Sequence, residues 1–304
     1  MITITVKLRE RMRRAFPTED WMLCPKFIAK IVVAGALLIP GHAAAEGISA
    51  TVPMLYTGGS VEMIVVPTDD DTAYELLFTG SYSSGVFGAR GTLPLGFVDG
   101  VGQDGLTRFV LGNIELAGTV GAAIDTGGVG LVFGGELAMA LPTSSSDTSG
   151  PEPSRASANL VLTQANLLRP GLRLPAHMTF SPRFGLAVQF AIVELYTNLG
   201  LDVVVPVTDD TPGAVDGNAQ TLLGAGVGVA FFPIPALEVV AEYALSQRIN
   251  VENDVSDQLS TGLRVYFPPM RVGIDIRIPI REEVYGSGGG SPPLLFGAHL
   301  RFSM

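Results

Sequence analysis

Asp125-Thr126-Gly127, inside the stretch AIDTGGVG from Ala123 to Gly130, is the triplet that aspartic proteases use. That chemistry needs two carboxylates sharing one proton, so a second triplet or a dimer must supply the other. The chain holds no second triplet, and Asp-Thr-Gly-Gly is equally the chemistry of a tight hairpin turn. Serine hydrolysis would call for a Gly-x-Ser-x-Gly elbow, which is absent. His177 and His299 have no identifiable acid or nucleophile to work with, and two histidines without cysteine give no metal-site spacing. The GSGGGS run from Gly286 to Ser291 lacks the lysine that follows in a phosphate loop. No catalytic residue, cofactor site or metal site is expected, and the chain does not read as an enzyme.

What remains are charges at regular spacing. In VGIDIRIPIR, Val272 to Arg281, the aliphatic residues Val272, Ile274, Ile276, Ile278 and Ile280 alternate with Gly273, Asp275, Arg277, Pro279 and Arg281. Strict alternation places one set on each face of an extended strand. One face is then wholly aliphatic and the other charged. The same character recurs in FGARGTLPLGF (Phe87 to Phe97), in Val129 to Leu141, in Leu223 to Phe231, in Leu237 to Ser246, in Gly262 to Phe267 and in Leu294 to Phe302. Two further stretches read as strands of the same kind. Val110, Ile114, Leu116 and Val120 oppose Asn113, Glu115 and Thr119; Leu168, Leu172, Leu174, Ala176, Met178 and Phe180 oppose Arg169, Arg173, His177 and Thr179.

Connections alternate too. Short ones are SSG at Ser83, DTGG at Asp125, SPRF at Ser181, PIPA at Pro233 and PPM at Pro268; long ones begin near Thr68, Asp99, Pro142, Thr208, Ile249 and Glu282. The long ones are rich in Gly, Ser, Asp and Pro, hence loops. An up-and-down meander built this way has about 12 strands, short turns at one end, long loops and their carboxylates at the other, and both termini at the short-turn end. The first strand reads SVEMIVVPT, and the overlong stretch Phe184 to Val207 changes phase near Glu194, as a bulge would make it do.

A soluble sandwich would bury the aliphatic faces, whereas a transmembrane barrel gives them to lipid and gives the charges to its lumen. Phe87, Phe180, Phe184, Phe231, Phe267 and Phe302 read as lying beside short turns, as an interfacial girdle requires. The leader adds to this. Lys26 and Lys30 precede the apolar run Ile31 to Ile39, and the small residues Ala43 to Ala45 follow, which is the order of a secretory signal peptide. Residues 1–45 are therefore expected to be removed by signal peptidase after Sec export, with Met22 an alternative start. Residues 46–59 would be a periplasmic segment and 60–302 the barrel. Beyond the leader there is no cysteine and no lysine, and 12 arginines face 26 acidic residues, a net charge of −14. So acidic a chain has no electrostatic footprint for nucleic acid.

On these features the chain resembles the bacterial outer-membrane β-barrel proteins of Gram-negative cells. The resemblance implies the outer-membrane lipid as surroundings, long loops outside the cell and short turns in the periplasm. It also implies that LFGAHLRF, Leu295 to Phe302, is read by the barrel-assembly machinery through Phe296, Leu300 and Phe302, although Ser303 and Met304 follow the terminal aromatic. More loosely, its length and Gly-rich hairpins are similar to those of transporters linked to aromatic-compound degradation. The expected lumen charges are Arg90, Glu115, Glu136, Arg169, Arg173, Glu238, Glu242, Arg264, Arg271, Asp275, Arg277, Arg281 and Arg301, with His177 and His299 on the same face. Three readings follow: a passive channel or small-solute transporter, a structural or surface-interaction barrel with a plugged lumen, and more remotely an outer-membrane hydrolase. Carboxylates of the long loops, Asp69 to Asp71, Asp257 and Glu282 among them, would make a negative rim that attracts cations.

Overall fold

The computed structural model describes residues 55–67, 72–98, 108–144, 162–207, 219–249, 255–282 and 294–304. The leader, residues 1–45, and most of the carboxylate-rich loops lie outside the described residues. The strands are β1 (Gly58–Pro67), β2 (Thr72–Ser84), β3 (Phe87–Val98), β4 (Arg108–Leu111), β5 (Glu115–Asp125), β6 (Val129–Ala140) and β7 (His177–Phe190). They continue with β8 (Val193–Pro206), β9 (Gln220–Ile234), β10 (Leu237–Arg248), β11 (Val255–Phe267), β12 (Met270–Glu282) and β13 (Leu295–Ser303). Neighbours in sequence pair antiparallel, except that β4 and β5 do not pair with each other. β4 and β5 both pair with β3, so together they make one stave, and the sheet closes as a barrel of 12 strands.

Closure is made by β1 and β13, from Gly58 opposite Ser303 to Val65 opposite Phe296. Gly58 is required there: a Cβ would lie 2.0 Å from the Phe302 carbonyl oxygen, and its φ is +156°. Closure matters because an open edge leaves backbone donors and acceptors that hydrocarbon cannot satisfy. The start of β1 and the C-terminus meet at the short-turn end, where Met304 N donates to Thr57 O.

VGIDIRIPIR keeps its alternation from Val272 to Ile278. On β12 Val272, Ile274, Ile276 and Ile278 are exposed, while Arg271, Gly273, Asp275 and Arg277 are buried; Ile274 is 61% exposed and Asp275 5%. Leu137, Leu199, Val227 and Leu263 continue the aliphatic exterior on other strands. Such an exterior exposes apolar area that water would penalise and lipid accepts.

Four sequence expectations are corrected. Ser181 to Phe184 is not a turn but the middle of β7; the true turn is Ala191-Ile192, and the phase change near Glu194 is that turn, not a bulge. Ala191 takes it with φ +51° and no glycine, which is why composition does not mark it. Phe180 and Phe184 therefore lie within the strand and Phe190 takes the place beside the turn. Val110 faces inward and its neighbour Phe109 outward, because the stave breaks at Gly112 to Ile114 and resumes one residue out of phase. The stretch Leu168 to Ala176 is not a strand at all. It forms two 3-10 turns, Gln164–Asn166 and Pro170–Leu172, and Leu168, Leu172 and Leu174 are buried rather than lipid-facing.

That segment, 162–174, lies inside the barrel. On one wall Leu162 and Ala165 pack with Ile64, Val66, Ala73, Val98, Val110 and Leu295. On the other, Leu168 packs with Ala187, Tyr196, Ala230, Phe232 and Val240, and Leu174 with Val204 and Leu222. The inner segment thus crosses the lumen between β1–β4 with β13 and β7–β10. Its docking point is the break between β4 and β5. Asn113 is fully buried there and donates from Nδ2 to Gly171 O at 2.8 Å and Leu174 O at 2.7 Å, while its Oδ1 accepts from Ser144 N at 2.9 Å.

Candidate functional site: the charged interior

Inward-facing charges collect in groups rather than lining the wall evenly. In the first, Glu115 of β5 accepts from Arg90 of β3 at 2.7 Å, from Arg183 of β7 at 3.4 Å and from Arg169 of the inner segment. Glu136 of β6 accepts from Arg90 at 2.8 Å and Arg183 at 3.0 Å, and Asp202 of β8 lies 3.4 Å from Arg183. Arg90, Glu115, Glu136 and Arg169 were expected in the lumen; Arg183 and Asp202 join them. Arg183 escapes a sequence reading because Ser-Pro-Arg-Phe has turn composition. Pro182 is tolerated in the strand, where it points outward and the ladder to β8 skips Ser181 and Pro182.

Arg173 of the inner segment meets Glu75 of β2, Nε to Oε1 at 2.9 Å, and both are fully buried. Arg173 also donates to Leu95 O at 2.8 Å, and Asn166 donates to the other Glu75 oxygen. Glu75 was missed because both faces of TAYELLF are apolar apart from that single residue. The pair and its hydrogen bonds tie the inner segment to the wall.

A third group sits toward the short turns. Glu238 of β10 accepts from Arg264 at 3.0 Å, from Arg271 and from Tyr266 OH at 2.5 Å. Tyr196 OH donates to Glu242 at 3.1 Å. Tyr196 lies across Gly228, where a Cβ would come 2.3 Å from its ring, so this glycine makes space for the tyrosine. Glu194 is buried with neither carboxylate oxygen hydrogen-bonded. In a fourth group Arg277 binds Asp275 at 2.8 Å, binds Glu62 of β1, and donates to Ala165 O of the inner segment at 3.0 Å.

The remaining expected residues scatter. His177 opens β7, and its Nδ1 donates to Pro175 O at 2.6 Å. His299 lies against Gly273, and Arg301 stacks 3.6 Å above the Tyr56 ring. Arg281 is corrected. The register between β11 and β12 shifts at Asp257/Gln258, opposite Arg281 and Pro279, with Ile280 as the extra residue. The bulge turns Arg281 to the outer face beyond the aliphatic band, more than half exposed, where its Nη2 donates to Asp257 at 2.7 Å. Tyr243 OH donates to the same oxygen at 2.6 Å. Asp257 is thus a strand residue, not a loop carboxylate, and Glu282 ends β12. Phe296 and Phe302 are outward and exposed on β13, with Leu300 half-buried between them.

Exposure is uneven within the first group. Side chains of Arg169, Arg90 and Arg183 are 20%, 15% and 11% exposed, whereas Glu115 and Glu136 are each 3%. Water thus reaches the arginine side chains more than the carboxylates they bind.

No family model matches the chain, and no curated protein matches its sequence. Among solved structures it is similar to an outer-membrane channel from Pseudomonas putida F1, with a TM-score of 0.59 at 10% identity over 85% of this chain and 98% of that one. The NanC porin aligns at a TM-score of 0.49 and 10% identity over 81% of this chain and 100% of its own. The KdgM porin in complex with disordered oligogalacturonate aligns at 0.44 and 8% over 81% and 99%. At such identities the likeness is one of fold. Joined to an exterior made for hydrocarbon and an interior of paired charges, that fold makes the chain an outer-membrane β-barrel protein.

Proposed function

We propose that the barrel is a narrow passive passage for small polar solutes, constricted by the inner segment. The observation that supports this is the partly exposed cluster of Arg169, Arg90 and Arg183 beside the segment. A barrel filled for stability alone would bury such guanidiniums with their partners, since an exposed ion pair adds little stability. Larger barrels retain space that side chains do not fill, and a charged constriction selects what enters. Assembly through Phe296, Leu300 and Phe302 of β13, the strand that closes the barrel, belongs to the same reading.

A second reading has one observation in its favour. Leu162, Leu172 and Leu174 pack against opposite walls, as a plug would, and a plugged barrel would serve structure or surface contact. Single-channel recording on the refolded mature protein separates the two. The passage predicts discrete, voltage-tolerant openings in planar bilayers; a silent membrane containing correctly folded barrels would establish the plug.

A further inference from the structure

We propose that Arg90, Arg169 and Arg183 form a binding shelf for small solutes bearing a carboxylate. The inference rests on the passage reading and names its solute class. Three observations carry it. The guanidiniums come from three separate elements, β3, the inner segment and β7, yet all three meet Glu115, and those of Arg90 and Arg183 also meet Glu136. Those carboxylates are recessed at 3% exposure while the arginine side chains keep 11–20%, so a solute in the water space meets arginine first. Arg90 and Arg169 bond these carboxylates through Nη2 alone, and their Nε atoms are buried. The Nη1 end of such a planar fork can donate to a solute carboxylate while Nη2 keeps its partner.

The arrangement also explains why the cluster need not hold its ligand tightly. Glu115, Glu136 and Asp202 keep the three arginines neutralised and oriented when nothing is bound, and an arriving carboxylate shares guanidiniums rather than meeting bare charge. Weak, exchangeable binding is what conduction requires. The carboxylate with the greatest exposure among the described inward groups, Glu62 at 27%, belongs to the separate Arg277 group and leaves the shelf's character unchanged. Arg169 is decisive, because the inner segment alone brings it there.

The test uses the mature protein in planar bilayers with chloride as the current carrier and sodium propionate as the probe. Propionate should block the chloride current saturably, and ethylammonium chloride should not. Arg169→Gln should raise the half-blocking concentration about tenfold, the loss of one charge-assisted contact, with Arg169→Lys in between because ammonium lacks the planar fork. Arg183→Gln, placed on a strand rather than on the inner segment, should weaken the block in the same direction and guards against a collapsed segment. A conducting wild type that propionate does not block, or Gln variants blocked at the same concentration as the wild type, overturns the shelf and leaves the passage standing. Equilibrium dialysis of labelled propionate against detergent-solubilised protein gives the converse: binding lost in Arg169→Gln from a protein that never conducts keeps the shelf and removes the passage.

Discussion

Glu75 and Arg173 illustrate what one buried pair does at the residue scale. Both side chains are fully buried, and the pair joins a wall strand to the inner segment. Removing one partner of such a pair leaves a charge in a place with no water, which costs about 3–5 kcal/mol. The chain has a less costly escape, since Arg173 can leave the wall with its segment. We therefore predict that Glu75→Gln leaves the barrel folded but frees residues 162–174. Two measurements check this: conductance should rise, and trypsin should cut after Arg173 within minutes where the wild type resists. A variant that resists trypsin like the wild type would mean that Asn113 and the apolar contacts suffice to dock the segment.

At the scale of elements, β12 shows how one strand serves two solvents. Ile276 faces outward among exposed aliphatic neighbours, and Asp275 faces Arg277 inside at 2.8 Å. Ile276→Arg should hinder assembly, by roughly 2–4 kcal/mol near the bilayer midplane. Asp275→Asn should be mild, because Arg277 keeps Glu62 and the Ala165 carbonyl. Refolding yields into lipid vesicles across a urea series would rank the two, and the reverse ranking would place the faces the wrong way round. The β11–β12 bulge belongs to this scale as well. One extra residue, Ile280, suffices to move Arg281 from the lumen side to the outer face.

For the whole molecule, two charge systems would act in series along the proposed passage. Loop carboxylates such as Asp69, Asp70 and Asp71 would draw cations to the mouth, but exposed charges are screened beyond about 8 Å at physiological salt. The shelf sits inside, where screening is weaker and the arginine side chains are partly exposed. Reversal potentials in a salt gradient should therefore show anion preference, and neutralising Asp69, Asp70 and Asp71 together should increase it at low salt. Cation preference in the wild type would show that the rim dominates. Export is a property of the whole chain too: N-terminal sequencing of protein recovered from the outer membrane should begin after Ala45, and an intact leader would contradict that reading.

Much of this architecture was readable in the order of residues alone. Alternation along β12, β13, β6 and β10 gave faces, because the side-chain period of a strand is two and lipid tolerates only one of the faces. Strand number, the pairing of the first strand's start with the last strand's end and most interior charges followed from the same rule. It failed where a local pattern has two physical solutions. Leu168 to Ala176 alternates like a lipid-facing strand, yet the same leucines are equally well served by the apolar inner walls at Ile64, Val98, Val204 and Leu222. Pro182 suggested a turn where a strand could omit a hydrogen bond, and Ala191 made a turn without the usual residues. Only the closed barrel decides these, because burial inside it is created by staves distant in sequence. The meeting of Arg90, Arg169 and Arg183 is likewise tertiary: no spacing along the chain encodes it, and the inner segment's docking at Asn113 brings it about.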